Sequence, residues 1–146
     1  FDAIYLSVGA HDENKLGCPG EDAENVLSAV RFLRAAGDGL APDLTDKRVV
    51  VVGGGNVAMD CTRTARRLGA ASVECVYRRR IADMTALPEE IEEAMAEGCQ
   101  ISELMAPIRI EANATGAVRA LVVQPQYMAV RSLRQRTLPK WRFPAM

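Results

Sequence analysis

The chain has 146 residues, 49% of them hydrophobic and 25% charged, with a formal net charge of −1. That is enough for one domain that buries roughly two thirds of its surface. A charge so close to zero gives no reason to expect nucleic acid or a membrane surface as the main partner. No apolar run approaches the roughly 20 residues that span a bilayer, and the start carries no signal-peptide pattern, so a cytoplasmic location is expected. Phe1 already lies inside an apolar stretch, and the chain is expected to be a piece of a longer protein.

Cys18, Cys61, Cys75 and Cys99 are far apart and never form C-x-x-C. A zinc site or an iron–sulfur cluster held by this chain alone is therefore not expected; buried or semi-buried free thiols are. His11 is the one histidine and sits beside Asp12 and Glu13 in a polar loop, a poor setting for a hydrolytic triad.

In chain order, "FDAIYLSVGA" is rich in β-formers and stops at Gly9, which predicts a strand running into a turn. A polar loop follows. "DAENVLSAVRFLRAAGDG" predicts a helix with Val26, Val30 and Leu33 on one face, Asp22 as N-cap and Gly37 as its stop. Arg48 to Val52 reads as a buried strand, Asn56 to Leu68 as a helix closed by Gly69, and "SVECVY" as a second strand. "TALPEEIEEAMAEG" predicts a helix with early acidic residues and Gly98 at its end, and "CQISELM" a third strand. Two further strands flank a turn at Asn113 to Gly116.

Strands alternating with helices over short connections predict a right-handed parallel sheet with helices packed on it. The expected class is α/β, a Rossmann-like three-layer domain with an added antiparallel hairpin or meander at an edge or over one face. The stretch from Ala129 to Met146 has five basic and no acidic residues and is expected to be a solvated connector.

After the valines of "RVVVVGGGNVAMD" comes a G-x-G-x-x-A fingerprint, Gly53, Gly55 and Ala58, with Gly54 as an extra small residue. Gly53 permits the tight turn out of the strand. Gly55 has no Cβ and lets a pyrophosphate approach the backbone, and Ala58 lets the helix pack close to the sheet. The first turn of that helix, from Asn56 to Met59, offers unpaired amides and the positive end of the helix dipole to an anion. Placed between a strand and a helix, with a second strand on schedule, this pattern points to a dinucleotide.

The second strand ends not in the acidic residue that accepts ribose hydrogen bonds in NAD-binding domains but in Tyr77, Arg78, Arg79 and Arg80. Guanidinium groups bind phosphate in bidentate fashion, so Arg78 and Arg79, with Arg80 beside them, point to the 2′-phosphate of NADP. Glu74 falls too early to reach the ribose. Glu89, Glu90, Glu92 and Glu93 are expected to face water, and Asp60 and Cys61 to serve packing and helix-dipole compensation.

"VVVVGGGNVAMDCTRTARRLGA" followed by "VYRRRIADMTALPEEIEEAMAEG" resembles the NADPH domain of the glutamate synthase small subunit and its relatives, FAD-dependent pyridine nucleotide oxidoreductases. "FDAIYLSVGA" is similar to the segment that leaves the flavin domain in that family, "GEDAENVLSAVRFLRAAG" to the crossover, and "WRFPAM" to the start of the return strand. The resemblance implies that residues 1–37 are a linker strand and crossover helix from a missing FAD domain. It implies that residues 38–128 are the NADPH-binding domain and residues 129–146 a connector back. It assigns Gly53, Gly55, Asn56, Val57 and Ala58 to the pyrophosphate, and Arg78 and Arg79 to the 2′-phosphate. Ser7, Val8 and Gly9 fall to the linker where nicotinamide meets flavin.

The implied activity is hydride transfer from NADPH to FAD, with electrons passing through iron–sulfur clusters of the parent protein to a partner such as a large catalytic subunit. The residues themselves leave two other readings open: a stand-alone NAD(P)-binding or redox-sensing module without turnover, and a methyltransferase-like domain. No protein acid, base or nucleophile stands out, and this fragment alone is not expected to be catalytically competent.

Overall fold

The computed structural model describes residues 1–6, 13–127 and 140–144. In chain order the elements are α1 (Ala29–Gly37), β1 (Arg48–Val52), α2 (Asn56–Arg67), β2 (Ser72–Val76), a 3-10 turn (Ile81–Asp83), α3 (Pro88–Ala96), β3 (Gln100–Ser102), β4 (Met105–Ala112), β5 (Val118–Pro125) and β6 (Trp141–Pro144). Strands β1, β2 and β3 form a parallel sheet in that order, and β4, β5 and β6 form an antiparallel one.

The two-residue period of a strand explains how the layers stack. On one face of the parallel sheet Val49, Val51, Val73 and Cys75 join Met59, Cys61 and Ala65 of α2, with Phe32 of α1 and Ile91 and Ala94 of α3. On the other face Val50, Val52 and Val76 meet Leu121, Val123, Met105, Ile110 and Phe143 of the antiparallel sheet. Helices, parallel sheet and meander are thus three layers, and the meander lies over one face. β1 is covered on both faces but stands at the sheet edge, which leaves all five of its residues half-buried.

Helices α2 and α3 are joined by charge. Arg63 of α2 pairs with Glu90 at 2.9 Å, Glu93 at 2.6 Å and Glu97 at 2.9 Å. Glu90, expected to face water, is half-buried in the α2–α3 contact, while Glu93 pairs with Arg63 from the exposed side of the helix. Glu97 caps the C-terminal end of α3, where the helix dipole disfavours an acid, and Arg63 and Arg67 offset that cost.

Three expectations are corrected. Residues 1–6 form no strand, and Phe1, Ile4, Tyr5 and Leu6 are exposed; β-forming side chains make a strand only where a partner supplies the ladder. Asp22 does not cap α1, which begins after Ser28. Residues 18–26 are instead tied to the meander, Ile110 N–H donating to Pro19 O, Glu24 N–H to Gly116 O and Val118 N–H to Glu24 O. The inward face of α1 is accordingly Ala29, Phe32 and Leu33 rather than Val26, Val30 and Leu33. Finally, Trp141–Pro144 pairs antiparallel with β5 and completes the meander. Most of the basic stretch before it, with His11 and the Ser7, Val8 and Gly9 linker, lies outside the described residues.

Candidate functional site

The C-terminal ends of β1 and β2 meet at the glycine turn. Gly53 has φ +153°, and a Cβ there would stand 3.1 Å from the Cβ of Ala58, so turn and helix are close because both residues are small. Its N–H donates to Val76 O at 3.1 Å, and its carbonyl accepts from the Cys75 thiol at 3.3 Å.

The next two glycines differ. Gly54 is buried, and a Cβ on it would fall 2.4–2.8 Å from three atoms of the Tyr77 ring. Its glycine is required by protein packing. Gly55, the residue before α2, has an ordinary extended backbone with φ −107°. A Cβ there would meet only the Thr85 hydroxyl, at 3.4 Å, an ordinary contact. Protein packing does not require a glycine at this position, and the open approach to its backbone is what an anion would use.

Above it, Asn56 and Val57 begin α2 and are exposed, Val57 at 49%. Ala58 is buried, and its N–H, like that of Met59, bonds back to Gly55 O. Among the described residues the amides of Gly55, Asn56 and Val57 have no acceptor. The amides without an acceptor thus begin one residue earlier, and are fewer, than the Asn56 to Met59 turn expected from sequence.

A second segment closes on the turn. The N–H groups of Thr85 and Ala86 both donate to Gly54 O, at 2.9 and 3.1 Å. Asn56 Oδ1 accepts from Leu87 N–H at 2.9 Å, linking the start of α2 to that of α3. Sequence reading missed this clamp, since nothing local in residues 84–87 announces its partner.

The three arginines are all exposed but not equivalent. Arg80 is held by Asp83, Nε to Oδ2 at 2.9 Å and Nη2 to Oδ1 at 2.7 Å. That contact keeps the Asp83 carboxyl below its ordinary range. Arg79 stands with its guanidinium carbon 5.8 Å from the centroid of the Tyr77 ring. Among the described residues neither Arg78 nor Arg79 forms an ion pair. Glu74 accepts from the Ser102 hydroxyl and sits beside Val50 at the middle of β1, short of the turn. A cavity of about 130 Å³ bounded by Arg48, Val50, Glu74 and Phe143 also lies there, too small for a dinucleotide.

The thiols are not reactive partners for the site. Burial pushes Cys61 and Cys75 up to about 11, so both are neutral packing groups at neutral pH. Asp60 is exposed.

A glycine turn joining a parallel strand to a helix is the arrangement in which α/β domains hold a nucleotide. Residues 1–106 match the family model described as pyridine nucleotide-disulphide oxidoreductase, and the chain belongs to that family. It is 36% identical over 149 residues to a putative glutamate synthase [NADPH] small chain of Cereibacter sphaeroides, covering 95% of this chain and 35% of that protein. It is 39% identical over 128 residues to the glutamate synthase [NADPH] small chain of Escherichia coli K12, covering 81% of this chain and 27% of that one. The chain thus spans about a third or less of the length of these relatives. Among solved structures, FprA of Mycobacterium tuberculosis in complex with NADPH superposes with a TM-score of 0.71 at 20% identity, covering 95% of this chain and 47% of that one. That likeness bears on the fold, which is the Rossmann-like arrangement of the reductases. Among the described residues no helix is long and apolar enough to cross a membrane.

Proposed function

We propose that this chain is the NADPH-binding part of a flavin-dependent oxidoreductase of the glutamate synthase small-chain type, holding the cofactor for hydride transfer to FAD bound mainly outside residues 1–146. The observation that carries the reading is Gly55: an extended glycine that packing does not require, beside amides without an acceptor at a helix start. These are the features a pyrophosphate needs.

In this reading the amides of Gly55, Asn56 and Val57 hold the pyrophosphate. Gly53, Gly54 and Ala58 shape the turn. Arg78 and Arg79 take the 2′-phosphate, and Arg80, engaged by Asp83, shapes the loop that presents them. When bound, the reduced nicotinamide supplies the hydride, while the protein aligns and shields the reacting groups. Residues 38–128 form the nucleotide unit. Residues 1–37 lead in from the flavin domain, with α1 packed on α2, and the chain leads back after β6 has completed the meander. A large catalytic subunit is the proposed electron-accepting partner, as the small-chain names of the relatives suggest.

Anaerobic addition of NADPH to the full-length protein tests this. Bleaching of a flavin absorbance band, faster than with NADH, is expected. A protein that binds NADPH but carries no reducible flavin would instead be a stand-alone binding module.

A further inference from the structure

Tyr77 follows β2 directly and is buried, yet its ring reaches each part of the site. One side lies against Gly54 so closely that no Cβ fits between them. Its hydroxyl donates to the carbonyl of Asp83 at 2.9 Å, anchoring the turn that Arg80 also grips. The Arg79 guanidinium stands over the ring at 5.8 Å. The backbone of Tyr77 is itself held on both sides, its N–H donating to Ser102 O and its carbonyl accepting from Met105 N–H, each at 2.9 Å.

We propose that Tyr77 is a positioning residue for cofactor choice: wedged on Gly54, its ring carries Arg79 in register with the pyrophosphate turn. Selectivity for NADPH over NADH then depends on an aromatic side chain that need not touch the phosphate. The inference rests on the reading of Arg79 as a 2′-phosphate ligand. The physical reason is pre-organisation. A free arginine loses rotamer entropy when it meets a phosphate, and an arginine already resting on an aromatic face loses less.

The test is titration of the intact protein with NADPH and with NADH, in wild type, Tyr77→Phe, Tyr77→Leu, Arg79→Ala and the Tyr77→Leu/Arg79→Ala double variant. Tyr77→Phe keeps the ring and should keep the NADPH:NADH affinity ratio. Tyr77→Leu should lower that ratio about two- to fivefold, the range of an exposed cation–π contact. In the Arg79→Ala background the same change should leave the ratio where it is. Equal weakening of both cofactors by Tyr77→Leu, or a drop in ratio that persists without Arg79, would overturn the proposal. Should circular dichroism show Tyr77→Leu to be unfolded, Tyr77→Met carries the same expectations, its flexible chain filling the space against Gly54. An unchanged ratio in Arg79→Ala overturns the phosphate reading and this inference with it. A lowered ratio there, with none in Tyr77→Leu, overturns this inference alone.

Discussion

Arg80 and Asp83 form a two-pronged ion pair, Nε to Oδ2 at 2.9 Å and Nη2 to Oδ1 at 2.7 Å, which withdraws one of three consecutive arginines from competition for a ligand. Removal of Arg78 and Arg79 together should weaken NADPH by about ten- to a hundredfold while NADH changes little, as expected for charge-assisted bonds to one phosphate. Arg80→Ala should affect both cofactors alike. Dissociation constants of the three proteins for both cofactors check this; loss of NADPH preference in Arg80→Ala alone would reverse the assignment.

The adjacent glycines should separate folding from binding. Gly54→Ala puts a methyl group 2.4 Å from the Tyr77 ring and should cost about 1–3 kcal/mol of stability, the usual range for overpacking. Gly55→Ala meets only an ordinary 3.4 Å contact, so its melting temperature should stay near that of wild type while NADPH and NADH binding are both lost. Calorimetric melting beside cofactor titration measures both effects. Full affinity in Gly55→Ala would mean that the turn serves structure only.

Acid should loosen the α2–α3 contact. Hydrogen bonds from Arg67 and Arg63 hold the Glu97 carboxyl below its ordinary value of 4.5. A group depressed in the folded state contributes stability that is present above its unfolded value and is lost as pH falls through the folded one. Denaturant midpoints should therefore fall as pH drops below about 4.5, and Glu97→Gln should flatten that fall while lowering stability at neutral pH. An identical acid limb in the variant would show that Glu97 is not the titrating group.

Thiol chemistry should follow burial. Cys61, Cys75 and Cys99 are buried and Cys18 is half-buried, and desolvation raises all four thiols. Alkylation at neutral pH should modify Cys18 first and the other three only on unfolding. Mass spectrometry of native and denatured samples reads this directly; rapid native labelling of Cys61 would contradict its packing.

The parallel core was legible because its signals are local. Four valines, three glycines and the helix that follows carry their own geometry, as do Gly69 and Gly98 at the helix ends. Signals that depend on distant partners were not. Residues 1–6 have strand-forming side chains but no ladder to join, and the stretch around Asp22 has a helical pattern yet bonds to Gly116, Val118 and Ile110. In the site, the fingerprint marks Gly53, Gly55 and Ala58, but no sequence rule shows that Gly54 is reserved for Tyr77. The distinction among the arginines was within reach. Arg80 and Asp83 are three apart, a spacing that favours pairing across a single turn.

The most direct measurement is an equilibrium titration of the wild-type protein with NADPH and then NADH in one buffer. Binding of both, with NADPH at least about tenfold tighter, is the expected result. Equal affinities would leave the glycine turn as a dinucleotide site and contradict the role of Arg78 and Arg79, and binding of neither would contradict the site itself.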